Sequence, residues 1–422
     1  MLNSIATLTL LLAAGTAFAA ETGVPDPGTL DNKVLIGYQG WFTCPGDGTG
    51  RWTHWSNGVP TPNTLTVEMY PNLTEFDEDE LCEIPGMTVG DKPAYLFSSR
   101  NPKTVNRHFQ WMREYGLDGV LVQRFVGEIR GKRAGGDVVL KNIMTAALES
   151  GRTFAIEYDI SGGNSATFAQ TLLDDWAYLV DELKITAHPN YQHHKGKPLV
   201  SVWGMGLDDG PGHPPAVAQE AKDLIAAFKF GHNVFYMGGT PSRWGTLSAD
   251  SKKDPEWAEV YAMMDVVQPW NVGRYGTLQG ADNWKEQVLI PDLKLTAANS
   301  QLYMPVVFPG FSWQNLKKNN RPNQIPRLSG NFLWRQAYNA KIAGATMLKI
   351  AMFDEVDEAT AIMKVAGRRD EAPAQGFWLT LDADGTNIPS DWYLLLSGEI
   401  TRIFHGKREP TAEIPLDLKP LP

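Results

Sequence analysis

The chain has only two cysteines, Cys44 and Cys82, among its 422 residues. That number is too small for a fold held by a disulfide framework or for a zinc site built from thiolates. A possible metal-binding pair, His193-His194, lies in a loop rich in Lys and Gly and is typical of a protein surface. We therefore expect no metal ion and no cofactor.

A surplus of positive charge is also missing, since 38 Lys and Arg residues stand against 48 Asp and Glu residues, for a formal net charge of −10. Proteins that bind nucleic acid or anionic membranes need a basic surface. After the first twenty residues, no apolar run is long enough to cross a bilayer. The sequence therefore predicts neither a nucleic-acid partner nor a membrane partner, and it leaves the oligomeric state open.

The first twenty residues have the composition of a secretory signal peptide. An apolar core over residues 5–14 precedes Ala17-Phe18-Ala19, which fits an A-x-A cleavage site. The stretch lacks Lys and Arg, which departs from the usual pattern. A buried N-terminal helix is the alternative, but the abrupt change to ETGVPDPG argues against it. We predict a signal peptide over 1–19, secretion, and a single domain over 20–422.

Secretion changes how the two cysteines are interpreted. In an oxidising compartment Cys44 and Cys82 are expected to form one disulfide, and two buried free thiols are the alternative. A loop of that size would stabilise the fold by roughly 3–4 kcal/mol in the chain-entropy model. Asn72-Leu73-Thr74 is a glycosylation sequon, which is used only if the host glycosylates.

Eight short apolar runs recur along the chain, with helix-like stretches between them. Apolar runs without alternation are typical of strands buried on both faces, and eight such units predict a single (β/α)8 TIM barrel. A doubly wound open sheet is the rival, but the Gly-rich phosphate turn that would favour it is missing after the first run. The runs cover residues 34–38, 119–123, 154–158, 199–203, 234–237, 266–269, 304–308 and 347–352.

The connection over residues 39–98 is unusually long. It holds both cysteines, the sequon, an acidic run over 75–80 and much Pro and Gly. We interpret it as a disulfide-pinned excursion after the first strand, lying across the barrel face at the strand C-termini.

Catalytic groups of a barrel sit at the C-terminal ends of its strands. The last run leads directly into Asp354-Glu355-Val356-Asp357-Glu358, four carboxylates in five residues. Glu355 and Glu358 are three residues apart, which places them on one side of a turn. Paired carboxylates, one protonated and one ionised, are what glycoside hydrolysis requires. A non-functional alternative is that the cluster is the solvated acidic start of a helix. A calcium site is a weaker one, because the ligands do not alternate regularly.

Other predicted strand ends carry polar and aromatic groups that we expect to contact a substrate. Tryptophans in such loops give sugar rings an apolar surface, although any one of them taken alone is more often part of the packing. The predicted substrate-binding residues are Gln39, Gln123, Arg124, Glu157, Asp159, Trp203, Trp244, Trp270, Trp313 and Asp354.

Three segments of the sequence resemble segments of a known group of proteins. Residues 37–50 (GYQGWFTCPGDGTG), 108–125 (HFQWMREYGLDGVLVQRF) and 325–362, which ends in MLKIAMFDEVDEATAI, together resemble secreted proteins often labelled "xylosidase/arabinosidase". These are similar to glycoside hydrolase families 71 and 99. The resemblance covers about residues 34–364 and implies a (β/α)8 barrel that acts on an α-linked oligo- or polysaccharide.

The resemblance also implies roles for the carboxylate pair. Family 99 cleaves internal α-mannosidic bonds and carries a motif close to N-E-W-x-E-G-T. By that match Glu355 assists the sugar 2-hydroxyl as it attacks its own anomeric carbon, and Glu358 is the general acid/base. Family 71, which cuts α-1,3-glucan, has a similar pair with Asp first. Asp354, Val356 and Ala359 depart from the family 99 motif.

Three alternatives for function stay open at this point. The pair is also compatible with an α-1,3-glucanase. The family label suggests an exo-acting xylosidase or arabinosidase. A non-catalytic glycan-binding barrel would keep the tryptophans without needing both carboxylates.

Overall fold

The computed structural model describes residues 23–208, 213–215, 217–318 and 321–415. The predicted signal peptide over 1–19 lies outside the described residues, and the single domain over 20–422 stays a prediction.

One sheet of parallel strands forms the centre of the molecule. Each of the eight predicted apolar runs overlaps one of its strands, and the burial of every residue in the first strand agrees with packing on both faces. The second and third strands form a separate antiparallel hairpin. The sixth strand is short and pairs with the first residues of the seventh. The strands are β1 Val34–Tyr38, β2 Leu81–Val89, β3 Lys92–Phe97, β4 Gly119–Phe125, β5 Thr153–Asp159, β6 His193–His194, β7 Lys197–Trp203, β8 Phe235–Thr240, β9 Val266–Pro269, β10 Leu302–Tyr303, β11 Val306–Val307 and β12 Leu348–Ile350.

The sheet closes into a barrel through a strand that is broken in two. β10 pairs with β9, and β11 pairs with β12, so residues 302–307 occupy the seventh position of the ring. Pro305 interrupts this strand because it has no backbone N–H to donate. Its carbonyl still accepts from the Lys349 N–H at 2.9 Å. β12 then pairs with β1, which completes a (β/α)8 barrel and confirms the predicted fold over the open-sheet rival.

Helices connect the strands and cover the outside of the barrel. The first helix is typical: Asn101 caps it by accepting from the Lys103 N–H, and Val105, Phe109 and Met112 form its buried stripe. No helix among the described residues is both long and apolar enough to span a membrane. The helices are α1 Pro102–Glu114, α2 Val126–Ser150, α3 Phe168–Asp181, α4 Ala218–Ala226, α5 Glu256–Ala262, α6 Leu278–Trp284, α7 Ile290–Ala298, α8 Gln314–Lys317, α9 Asn331–Ile342 and α10 Trp392–Phe404.

The excursion over residues 39–98 lies across the C-terminal ends of the strands, as predicted. Its Cys44 and Cys82 are joined in a disulfide, and the β2–β3 hairpin forms its outer part. The N–H groups of Glu68 and Met69 donate to the carbonyl of Val356, which follows β12. The excursion therefore contacts the loop that carries the acidic cluster. Asn72 is partly exposed within it, and its glycosylation stays a prediction.

Candidate active site

The acidic cluster lies in a tight turn after β12 and does not start a helix. The turn is closed by backbone hydrogen bonds from the N–H groups of Thr360 and Ala361 to the carbonyl of Glu355, both at 3.2 Å. The side chains of Asp354, Glu355 and Asp357 are at most 6% exposed. The interpretation of the cluster as a solvated acidic helix start is therefore wrong.

Asp354 fastens the turn to the first strand of the barrel. Its two carboxylate oxygens accept from the backbone N–H groups of Gln39 and Gly40 at 2.7 and 2.8 Å. Burial raises the pKa of Asp354 to about 6, although these two hydrogen bonds oppose the increase. The side chain is fully buried, so the structure gives Asp354 a positioning role and does not present it to a substrate as we predicted.

Glu355 is held by a donor on each of its oxygens. The Gln39 side-chain amide donates to Oε1 at 2.6 Å, and the Thr360 hydroxyl donates to Oε2 at 2.7 Å. Both partners restrict the carboxyl to one orientation, which a catalytic group needs. Gln39 is therefore beside the catalytic candidate, and its Oε1 is buried without a hydrogen-bond partner.

Glu358 is the more exposed member of the pair. It is partly exposed, and its surroundings come from the loop after β11 and from α8. The Trp313 side chain lies against its carboxyl, although the indole nitrogen makes no hydrogen bond of normal geometry. Lys317, whose ammonium lies 5.2 Å from the centre of the Trp313 ring, adds a positive charge nearby. Glu358 is thus the carboxyl open to a ligand.

The pKa values of both carboxyls are raised. Burial raises the pKa of Glu355 well above its usual value, and the charges of Glu358 and Asp357 raise it further. Burial also raises the pKa of Glu358, but Trp313 and Lys317 oppose the increase. Two enclosed carboxyls that interact in this way titrate as a pair and resist joint ionisation. The site therefore keeps one member protonated more readily than an exposed pair would.

Two further carboxyls, Asp357 and Glu68, lie near the pair. Burial and the charge of Glu358 raise the pKa of Asp357, whose Oδ1 is buried without a hydrogen-bond partner. Glu68, from the excursion, accepts from the Ser312 hydroxyl at 2.7 Å and from the Asn315 N–H. Sequence reasoning missed Glu68, because nothing in its local sequence shows that the excursion folds back onto this turn.

The structure does not gather the carboxyls of the turn into an arrangement that could hold a metal ion. No group of three His, Cys, Asp or Glu side chains among the described residues is arranged to hold a metal ion. The predicted surface pair His193-His194 forms β6, where the His194 ring accepts from the Leu30 N–H and is buried. The expectation that both histidines lie on the surface is wrong for His194.

The barrel interior holds a buried ion pair between Glu157 and Lys349. The ammonium of Lys349 lies 2.5 Å from the Glu157 carboxylate, and both side chains are fully buried. Gln123 and Ser201 donate to the same carboxylate, at 2.5 and 2.9 Å, and Lys349 also donates to Gln268. A buried carboxylate saturated by these donors has no free position for a sugar. The structure therefore removes Glu157 from the predicted substrate contacts.

Lys349 was missed by sequence reasoning, yet a signal was present. It is a lysine within the apolar run MLKIAMF, and a buried charge requires a partner. Gln123, by contrast, is partly exposed at the end of β4 and stays a candidate contact.

Arg124 points away from the barrel interior. Strand alternation turns it towards the helices, where its guanidinium pairs with Asp175 at 2.5 Å and Asp137 at 3.0 Å. It is only 8% exposed. The prediction that Arg124 contacts the substrate is not supported by this geometry, because its donors are used in holding α2 and α3 against β4.

Asp159 ends β5 beside two of the predicted tryptophans. Burial raises its pKa to about 6, and a hydrogen bond from the Ser161 N–H opposes the increase. Its ladder partner is Trp203, whose ring meets that of Trp270 edge to face at 5.6 Å. Both rings are partly exposed, and Lys349 lies 5.3 Å from the centre of the Trp270 ring. Asp159, Trp203 and Trp270 thus form one side of the barrel mouth.

The four predicted tryptophans do not share one environment. Trp203, Trp270 and Trp313 are partly exposed at strand ends, whereas Trp244 is 3% exposed. The Trp244 indole donates to Asp292 at 2.8 Å, and its ring packs against Tyr261 at 5.8 Å. The structure places Trp244 in the core, so the prediction that it contacts sugar is wrong.

Comparisons with known proteins agree with the barrel. The structure is similar to that of the family 99 endo-α-mannosidase from Bacteroides thetaiotaomicron bound to bis-tris-propane, with a TM-score of 0.65 and 19% identity, over 91% of this chain and 100% of that one. A second structure of that organism's family 99 endo-α-mannosidase gives a TM-score of 0.65 and 17% identity, over 90% of this chain and 99% of that one.

A third solved structure, described as a glycoside hydrolase-like protein, has a TM-score of 0.52 and 15% identity, over 82% of this chain and 98% of that one. Neither a protein-family model nor a curated protein sequence matches the chain. At these identities the likeness establishes the fold, and the reaction has to be argued from the site.

Proposed function

We propose that this protein is a secreted glycoside hydrolase that cleaves an α-linked glycan with Glu355 and Glu358. One observation carries the proposal: the two carboxyls lie in the turn after β12, close enough for their charges to interact, and burial raises the pKa of both. An enclosed pair that carries one proton suits an acid and a base acting on one bond. The resemblance to an endo-α-mannosidase makes internal α-mannosidic bonds the first substrate to test.

The two carboxyls are placed for different tasks. Glu358 is partly exposed at the mouth, so it is the one that reaches the leaving oxygen and gives it a proton. Glu355 is fixed by Gln39 and Thr360, so it is the one that accepts a proton from the attacking group. By the family 99 resemblance, that group is the sugar's own 2-hydroxyl.

The proton has to be on the correct carboxyl during the reaction. In the free protein, burial and the neighbouring carboxyls favour a proton on Glu355, whereas Trp313 and Lys317 favour an ionised Glu358. A bound sugar reverses this preference, because its 2-hydroxyl donates to an ionised Glu355. The proton then resides on Glu358, where the glycosidic oxygen accepts it.

Aromatic rings complete the proposed binding surface. Trp203 and Trp270 form one wall of the mouth, and Trp313 lies beside Glu358. The apolar faces of pyranose rings pack against such partly exposed indoles. The rings therefore hold sugar units while the carboxyls act on the bond between them.

Digestion of a panel of α-mannans and α-glucans, followed by NMR of the products, tests the proposal. We expect cleavage of α-linked substrates, first of internal α-mannosidic bonds, and the anomeric signal reports linkage and stereochemistry together. Cleavage of α-1,3-glucan alone would instead favour the glucanase assignment, and release of pentoses from chain ends would favour the exo-acting one. Binding of a glycan without cleavage by any member of the panel would make the protein a glycan-binding barrel.

A further inference from the structure

A cavity of about 410 Å³ lies between the start of the excursion and α2. This volume is within the range of about 300–1,000 Å³ that is usual for small-molecule sites. Residues from four parts of the chain meet there: Trp41 from the start of the excursion, Arg100 from the segment before α1, Gln123 from the end of β4, and the glycines of α2. The Glu355–Glu358 mechanism uses none of these four groups.

Gln39 connects the cavity to the proposed catalytic pair. This side chain lines the cavity and also donates to Glu355 at 2.6 Å. Its other amide atom, Oε1, is buried and has no hydrogen-bond partner. A glycan bound across the pair therefore has an adjoining space for its next sugar unit.

Polar atoms without partners surround this space. The Trp41 ring is stacked between His54, at 3.9 Å, and Phe125, at 5.3 Å, so its faces are covered and its N–H edge is free to donate. Its indole nitrogen is buried and makes no hydrogen bond. The Nε of Arg100 is also buried and makes no hydrogen bond. Buried donors without partners are uncommon, and a ligand acceptor would satisfy both.

The lining is positively charged although the chain as a whole is not. Among the described residues that line the cavity, four arginines face a single carboxylate, Glu128, which has an interaction of its own. Arg124 and Arg133 are paired with Asp175. The other two, Arg51 and Arg100, make no ion pair with any carboxylate of the described chain.

Arg100 lines the cavity, and its guanidinium makes few hydrogen bonds there. Its guanidinium makes one long hydrogen bond, 3.4 Å from Nη1 to the carbonyl of Gly135. A methyl group on Gly135 would lie 3.3 Å from the same Nη1. Glycine is unfavourable inside a helix, so α2 gives up helix propensity at a position where a larger residue would crowd this guanidinium.

From these observations we propose that the cavity is a subsite for a sugar unit carrying an anionic group, a carboxylate or a sulfate ester, bound by Arg100 and Arg51. The inference rests on the proposed glycan substrate and narrows it to an acidic glycan. A guanidinium binds a carboxylate or sulfate through parallel N–H donors, whereas a neutral hydroxyl uses only one of them. Both arginines line the cavity, where Arg51 is exposed and Arg100 is partly buried.

Calorimetric titration with matched probes tests this subsite without requiring turnover. The probes are an α-linked trigalacturonate, its neutral methyl ester, and an α-linked trisaccharide with and without one sulfate ester. We expect the wild-type protein to bind a charged probe at least tenfold more tightly than its neutral counterpart. Arg100→Gln and Arg51→Gln should each reduce that ratio about tenfold, which is the usual effect of losing a charge-assisted hydrogen bond.

Arg368→Gln is the matched control, because Arg368 is exposed, pairs with its neighbour Asp370 and lies outside the cavity lining. It changes the net charge equally and should leave the ratio unchanged. Equal affinity for charged and neutral probes, or an equal loss in the Arg368 variant, would overturn the subsite. Neutral α-glycan cleavage with no charge preference would remove the subsite and leave the proposed function intact. Charge-selective binding without cleavage of any glycan would support the subsite and contradict the proposed function.

Discussion

The Gln39 side chain at the end of β1 donates a 2.6 Å hydrogen bond to Glu355 at the end of β12. The two residues are 316 positions apart in the chain, and they meet because β1 and β12 are neighbours where the barrel closes. The backbone of Gln39 is itself fixed by Asp354, so the turn holds Gln39 and Gln39 holds the catalytic candidate. This reciprocal arrangement makes the pKa of Glu355 sensitive to residues that never touch the substrate's reacting atoms.

Removing the Gln39 amide should move the pH dependence of the reaction upwards. The hydrogen bond favours ionised Glu355 and lowers its pKa, so Gln39→Met should raise that pKa. Because the reaction needs Glu355 ionised, activity in this variant should fall at a higher pH than in the wild type as the solution is acidified. The acidic limb of kcat/KM measures the shift, and a limb that stays in place or moves down would contradict the role of Gln39.

Removing the Asp357 charge should move the same limb in the opposite direction. The charge of Asp357 raises the pKa of Glu355, so Asp357→Asn should lower it. Activity should then persist to lower pH than in the wild type. The variant is a matched partner for Gln39→Met, since both lie next to Glu355 and their predicted shifts differ in sign. Shifts of the same sign in both variants would mean that general damage to the site, and not charge, sets the profile.

Trp270→Ala and Trp244→Ala should have contrasting effects. Trp270 is partly exposed at the mouth, so its loss should weaken glycan binding and leave the melting temperature nearly unchanged. Trp244 is buried and bonded to Asp292, so its loss should cost about 3–5 kcal/mol of stability and lower the melting temperature by several degrees. Calorimetric binding and thermal unfolding of both variants measure the contrast. A destabilised Trp270→Ala protein with unaltered affinity would mean that Trp270 is structural.

Reduction of the Cys44–Cys82 disulfide should loosen the excursion more than the barrel. The bridge joins two points within residues 39–98. It makes no covalent link to the strands of the barrel. Hydrogen exchange should therefore accelerate in this segment and stay slow in β4 and β5. Activity should also fall, because Glu68 and Met69 hold the turn at Val356. Uniform acceleration through the barrel would show that the disulfide stabilises the whole fold.

The barrel was predictable because each of its strands contains a run of consecutive apolar residues that is visible in the local sequence. The run over 154–158, for example, lies within β5, Thr153–Asp159, since a strand buried on both faces needs consecutive apolar residues. The carboxylate turn was likewise visible at the end of the last run. Local patterns could not show which side chains pair across the barrel: Lys349 and Glu157 are 192 residues apart. They could not show either that Trp244 is enclosed by α5 and α7, because its loop sequence resembles those of the exposed tryptophans.

The central claim is that Glu358 is the acid and Glu355 the base of a glycosidase. It is tested most directly by kinetics of Glu358→Gln and Glu355→Gln on two substrates: a natural α-linked glycan, and an aryl α-glycoside of the same sugar whose leaving group needs no proton. Glu358→Gln should lower turnover of the natural glycan about 10²–10⁴-fold and spare the aryl glycoside. Glu355→Gln should disable both, because the attacking group is no longer assisted. Near wild-type turnover of the natural glycan by either variant would contradict the account.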